Sequence, residues 1–238
     1  MRKKIYAQVT VNDDYEPTFS QVTPDKTPGK GPQIVMIMST HRVVIRVAEL
    51  TKADKRLTPA IQWRLVQENF PIGPLLNGDT HIFDGSIFTN NAKQQCFMMA
   101  AIPKEISETI ANEAIEKWSN PHRLKQLDTI EHVLFRHYTK PDDTNAKCIV
   151  FPQSIGYRAL CINSGLPKSA YSISNHPKMR EAELERILDA AESTHVIILD
   201  DGTKDRDNKW LKKHIQSRGE IEIIDDTLHD MPYYAHHW

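Results

Sequence analysis

Four places in this 238-residue chain carry residue types that could do chemistry, and each fails at a nameable position. Gly29-Lys30 suggests a phosphate-binding loop. Such a loop needs Gly-x-x-x-x-Gly-Lys-Ser/Thr between a strand and a helix, so that backbone N–H groups converge on phosphate. Here Lys30 is followed by Gly31, Pro32 and a strand-like run, so nucleotide binding by this loop is not expected. Leu199-Asp200-Asp201-Gly202-Thr203 imitates the phosphotransfer signature Asp-x-Asp-Gly-Thr, but Leu199 holds the nucleophile's position; an acidic turn capping the next helix is the expected reading. His229, Asp230, His236 and His237 offer imidazoles without the fixed spacing of a zinc site, and chain ends are commonly loose. Cys96, Cys148 and Cys161 each sit in a strand-like run with no base nearby in sequence, which reads as buried free thiols in a reducing compartment. No catalytic residue, metal ligand or cofactor site is expected.

Composition narrows the classes further. Lys plus Arg number 30 against 31 Asp plus Glu, so no net field favours nucleic acid or anionic lipid. The longest apolar runs, such as Ile34–Met38 and Val196–Leu199, are far short of the roughly 20 residues that span a bilayer. Met-Arg-Lys-Lys has no apolar stretch behind it, so no signal peptide is expected. With 39% hydrophobic residues, the chain reads as mixed α/β, long enough for one large domain or two small ones.

The elements that would position any site follow from periodicity and breakers. Ile5–Val11, Thr18–Val22, Gln33–Met38 and Val43–Glu49 read as strands, and the prolines and glycines of 23–32 forbid regular structure between the second and third. Leu57, Ile61, Leu65 and Val66 have helical spacing with Trp63 on the flank, and Pro59 fixes the start near Thr58, a natural N-cap. Phe70-Pro71-Ile72-Gly73-Pro74 stops that helix. Strands at His81–Phe88 and Gln95–Ile102 follow, then a helix over Lys104–Trp118 with Ile106, Ile110, Ala114, Ile115 and Trp118 inward. Leu124–Tyr138 reads as a third helix. Beyond it come strands at Lys147–Pro152, Tyr157–Asn163 and Leu166–Ser174, a helix over Arg180–Glu192, a fully apolar strand His195–Leu199, a helix over Asp207–Ser217 and a strand Glu220–Ile224. That order, βββαβαβ, is the order of a ribonuclease-H-like fold. A nuclease of that fold needs carboxylates on its first strand to hold metal ions, and Lys147–Phe151 offers none.

In this setting the chain resembles the actin-like proteins of type IV pilus and type II secretion machines, the pilus M protein and the cytoplasmic domain of the secretion L protein. Trp63–Ile72 is similar to the family's helix ending in an Ile/Phe-Pro-Phe turn. Phe97–Glu105 resembles its apolar strand followed by Ala-Pro-Lys-Glu, and Leu127-Asp128-Thr129-Ile130-Glu131 its Val-Asp-x-Glu segment. Lys147–Ser174 resembles the meander that opens its second half. The resemblance implies an α/β, actin-like (ribonuclease-H-like) two-lobed fold with an inserted βαββα subdomain. Residues 1–42 would form the first strands, 43–118 the inserted cassette, 119–140 a connecting helix and 141–238 the second half. It also implies a cytoplasmic scaffold at the inner membrane, or the cytoplasmic domain of a longer membrane protein. The partners would be an inner-membrane assembly-platform protein and the assembly ATPase. ATP-binding members carry an Asp-x-Gly turn in each half; here Asn12-Asp13-Asp14-Tyr15 lacks the glycine and Pro152–Gly156 lacks the carboxylate, so no ATPase activity is expected. Partner segments would dock in grooves between lobes and cassette, or add to an open sheet edge. The apolar turn Phe70, Pro71, Ile72, Pro74 and Leu75 is the expected contact site.

Overall fold

The run Cys96–Ile102 is apolar at every position, which an amphipathic strand would not be. The computed structural model, which describes residues 4–11, 17–21, 33–39, 41–51, 54, 57–118, 124–140, 142–153, 155–192, 195–200, 209–217 and 222–227, gives the reason. The run lies in β6 (Gln95–Pro103), the middle strand of an antiparallel sheet ordered β4 (Val44–Glu49), β6, β5 (His81–Thr89). Successive side chains of a strand point to opposite faces. Phe97, Met99 and Ala101 accordingly enter one apolar cluster and Met98, Ala100 and Ile102 another. Both faces are dry, so every position is apolar.

The outer face is covered by α1 (Pro59–Asn69). Thr58 caps it as expected: its side-chain oxygen accepts from the Ile61 N–H at 3.3 Å, and Pro59 occupies the first turn, where an N–H would be unpaired anyway. Leu65, Val66 and Phe70 pack on Phe97, Met99 and Ala101, with Leu57 and Ile61 at the margin.

The other described strands form two sheets of related topology. In the first, β1 (Lys4–Val11) pairs antiparallel with β2 (Pro17–Gln21) and parallel with β3 (Gln33–Ser39), which pairs parallel with β7 (Leu124–Thr129). In the second, β8 (Lys147–Pro152) pairs antiparallel with β9 (Tyr157–Asn163) and parallel with β11 (His195–Asp200), which pairs parallel with β12 (Glu222–Thr227). An added edge strand, β10 (Leu166–Ile173), completes the order β10-β9-β8-β11-β12. The cassette and α2 (Lys104–Trp118) thus occupy the crossover between β3 and β7. In the second half, α5 (Lys209–Gln216) occupies the matching place between β11 and β12.

One expectation is overturned. Leu124–Tyr138 is not a single helix, and 119–140 is not a connecting helix: Leu124–Thr129 is strand β7, and α3 begins only at Ile130 and ends at Tyr138. The Leu-Lys-Gln-Leu pattern suits a helix locally. The parallel register against β3, with Met36 opposite Leu127 and Met38 opposite Thr129, overrides that preference. A smaller difference is α4, which starts at Pro177 and ends at Ala191, because Pro177 sets the first turn and the His176 ring accepts from the Lys178 N–H.

The central core joins all three sheets. Met38 of β3, Val43, Ile45 of β4, the inner residues of β6, Ile106 and Ile110 of α2, and Ile149, Phe151, Leu160, Ile162, Ile197 and Leu199 of the second half form one cluster. α3 lies inside it, buried from Ile130 to Phe135 on every side. The cassette therefore shares its inner face with the body. The outer face of the second sheet is covered by α4 and α5 through Leu184, Ile187, Leu188, Leu211 and Ile215. The side chains of Ala114, Ile115 and Trp118 lie outside the described residues, as do the turn 12–15, the loop 23–32, Asp201–Thr203 and the histidine-bearing tail.

Two polar groups inside the central core are paired. His132 meets the Thr129 hydroxyl through Nδ1 at 2.7 Å and the Met98 carbonyl through Nε2 at 3.3 Å, joining α3 to β6. Arg158 of β9 donates to Glu131 of α3 at 2.5 Å, to the His41 carbonyl at 3.0 Å and to the Val43 carbonyl. With side chains only 5% and 2% exposed, Arg158 and Glu131 form a buried ion pair where second half, α3 and the entry to the cassette converge.

Candidate functional site

Two sheet edges face each other where the cassette lies against the second half. β4 borders the cassette sheet and β10 the second-half sheet; they run alongside, and no hydrogen-bonded ladder joins them among the described residues. Lys168 Nζ meets Glu49 Oε1 at 2.6 Å across the seam, and the Asn90 side chain donates to the Ser164 carbonyl at 2.8 Å. Both bonds link residues that no local sequence pattern would connect.

A cavity opens at each end of this seam. One, of about 380 Å³, lies between Glu49–Thr51, the turn residues Ala92–Gln95 and Leu166–Lys168. Cys96 is at its floor, but burial pushes that thiol up to about 12, which leaves it protonated and a poor nucleophile. The other, of about 310 Å³, is lined by His41, Val43–Arg46, Arg158, Ala170–Ser172 and Arg186, with no carboxylate among the lining residues. Arg158 is held by Glu131, which leaves Arg46 and Arg186 as the charges that face an occupant. The second cavity is therefore suited to an acidic group.

The apolar turn after α1 divides between core and surface. Phe70 is 4% exposed and packs edge-on against Phe83 at 5.4 Å, so it holds the turn and is not itself a contact surface. Pro71, Ile72 and Pro74 are exposed, and Leu75 is 89% exposed. The loop is fixed by its own bonds: Gly73 and Leu76 exchange backbone bonds at 3.0 and 3.3 Å, and the Asn77 amide donates to the Gly73 and Pro74 carbonyls. A large side chain so exposed on a tied loop has the geometry of an anchor. Cys148 and Cys161 lie opposite each other in the β8–β9 ladder, both buried and unbridged; the hydrogen bond that Cys148 shares with Cys161 and its burial hold the Cys148 thiol up. Among the described residues no group of His, Cys, Asp or Glu could hold a metal ion.

No protein-family model and no curated protein sequence matches the chain. Solved structures do. A Bacteroides thetaiotaomicron protein with an actin-like ATPase fold and unknown function is similar over 94% of this chain and 91% of its own, with a TM-score of 0.55 at 7% identity. A chain of the PilM–PilN type IV pilus biogenesis complex is similar over 94% and 88%, with a TM-score of 0.56 at 13% identity. The fold is actin-like. At 8% identity the cytoplasmic domain of EpsL, an inner-membrane component of the type II secretion system of Vibrio cholerae, aligns more loosely, with a TM-score of 0.44. Within the actin-like frame, the seam and its cavities lie between the first half's insertion and the second half. Sequence reasoning expected grooves there but named none of Arg46, Arg158, Lys168 or Arg186. Only an approach of residues more than a hundred positions apart creates them.

Proposed function

We propose that this chain is a non-enzymatic scaffold of a type IV pilus or type II secretion assembly platform, working in the cytoplasm at the inner membrane. It would bind a segment of a membrane-anchored platform protein at the cavities of the β4–β10 seam, and the assembly ATPase through a separate surface that includes Ile72 and Leu75. The observation that carries the reading is the seam itself: two facing sheet edges with a cavity at each end and arginines at one of them. Lys168 and Glu49 already bridge the two edges, so a bound segment would lie over the seam and place side chains in the cavities. The arginine end favours a segment with an acidic residue. One of the similar structures is itself a two-protein complex of pilus biogenesis.

The alternative is an ATP-binding actin-like protein of the same machinery. Against it, the turn at 152–157 uses the Gln153 N–H internally, donating to the Gly156 carbonyl at 3.1 Å, and offers no carboxylate for a metal ion. A phosphate-holding turn needs such N–H groups turned outward. No helix among the described residues is long and apolar enough to cross a membrane.

The test has two arms. Peptides from the cytoplasmic segment of a candidate platform protein are titrated by fluorescence anisotropy against the wild type and Arg46→Glu/Arg186→Glu. Binding that weakens at least about tenfold in the variant supports the seam. Thermal melts with Mg²⁺–ATP separate the two readings: the scaffold predicts no change, and a nucleotide-dependent rise of several degrees sinks it.

A further inference from the structure

Among the described residues β5 ends the cassette sheet with an unpaired edge, and its sequence is nearly symmetric. Outward from Gly85, the strand reads Asp84 and Ser86, then Phe83 and Ile87, then Ile82 and Phe88, then His81 and Thr89. Polar residues sit at the first step on both sides and large apolar ones at the second and third. Ile82 and Ile87 are 41% and 42% exposed, and they stand on opposite faces of the strand.

The backbone fixes which groups this edge presents. Thr80 accepts from Lys104 and Asn90 donates to Gln94, so even-numbered residues bond towards β6, in a register that runs unbroken along the strand. Odd-numbered residues therefore direct their N–H and C=O outward. Gly85 agrees: its N–H donates to the carboxylate of the adjacent Asp84, at 2.7 Å. Long unpaired edges with apolar flanks are templates for another strand.

We propose that β5 pairs antiparallel with β5 of a second copy of this chain, about a two-fold axis through Gly85. In that register Gly85 faces Gly85 and Phe83 faces Ile87 as hydrogen-bonded pairs, giving about six inter-chain backbone bonds. Ile82 faces Phe88, so the half-exposed apolar side chains on both faces find partners. Asp84 faces Ser86. Centring the axis one residue earlier would instead set Asp84 against Asp84, and like charges directly opposite are destabilising. The six-stranded sheet places both copies of α1 on one face. Trp63, which is 43% exposed and packs edge-on against Phe83 at 5.9 Å, stands close to the axis there. The outward Gly85 N–H changes partner from Asp84 to the second copy. The symmetry makes the surface isologous, so the assembly closes as a dimer and does not grow.

Sedimentation and light scattering on the full chain should show a reversible monomer–dimer equilibrium at about 10–100 µM. Ile87→Lys and Ile82→Lys, at exposed positions, should raise the dimer dissociation constant at least about tenfold without altering far-ultraviolet circular dichroism. Register is read by cross-linking. Under mild oxidation a mixture of Asp84→Cys and Ser86→Cys proteins should form disulfide-linked dimers, whereas neither variant alone and not the wild type should do so. A wild type that stays monomeric throughout this range overturns the proposal, as does a dimer indifferent to both lysines. Self-cross-linking of Asp84→Cys overturns the register. Should the lysine variants fail to fold, the cross-linking mixture still decides, because it leaves the apolar residues in place.

Discussion

Removing one member of the Arg158–Glu131 pair should be among the most damaging single changes in the protein. Both side chains are almost wholly buried, and Arg158 also donates to the carbonyls of His41 and Val43, which lead into the cassette. Arg158→Met leaves the Glu131 carboxylate in the core without its counter-ion. Glu131→Leu leaves the guanidinium with only carbonyl partners. Breaking a buried pair on one side costs about 3–5 kcal/mol. In a chain of this size each kcal/mol lowers Tm by about 2–4 °C, so each single variant should melt about 6–20 °C below wild type. The double variant removes both charges and takes the Arg158 donor from the two carbonyls, at about 1–3 kcal/mol each. It should therefore cost about 2–6 kcal/mol, below the sum of about 6–10 for the singles. Urea unfolding of the four proteins of this cycle, followed by circular dichroism and tryptophan fluorescence, measures the coupling. Additivity within about 0.5 kcal/mol, or singles costing less than about 1 kcal/mol, would refute the reasoning.

The divided turn predicts a split between stability and binding. Phe70→Ala should cost about 3–5 kcal/mol, whereas Ile72→Ser and Leu75→Ser should stay within about 0.5 kcal/mol and lower only ATPase capture, read by melts and pull-down side by side. Asp54 accepts from the hydroxyl and N–H of Thr51 and from Arg64, and the Thr51 hydroxyl chiefly holds its carboxyl below the usual carboxylate range. A pKa lowered by folding adds stability that is complete above the unfolded value of about 3.9 and disappears as pH falls through the folded one. Asp54→Asn should thus be less stable than wild type at pH 7, with the difference shrinking towards pH 2–3 in urea titrations; a difference constant with pH would count against this. The three thiols should resist a soluble disulfide reagent in native buffer and react fully in denaturant, since all are buried and Cys96 is pushed up to about 12. Rapid native labelling of any of them would contradict that placement.

The seam shows where local reading stops. Lys168 and Glu49 each look like ordinary surface charges in sequence, and Arg46, Arg158 and Arg186 share no motif. Their meeting depends on β4 and β10 arriving at adjacent edges, which is a property of sheet order. The apolar turn, by contrast, was visible as Pro-Ile-Gly-Pro; what sequence left open was that Phe70 faces inward while Leu75 faces out.

The sequence by itself determined the elements with strong local signals. Thr58-Pro59 chemistry set the start of α1, the breakers around 152–157 and 163–166 set the second-half meander, and the apolar runs of β6 and β11 marked strands. These follow from nearest-neighbour physics: a cap, a fixed φ, a side-chain period. The tertiary structure decided β7. Leu124–Thr129 has a helix-compatible pattern and becomes a strand only because β3 offers it a parallel edge. It also decided that the cassette shares the central core, because the inner residues of β6 face α3 and the second half. Both outcomes rest on contacts between residues far apart in the chain, whose energies no local window contains.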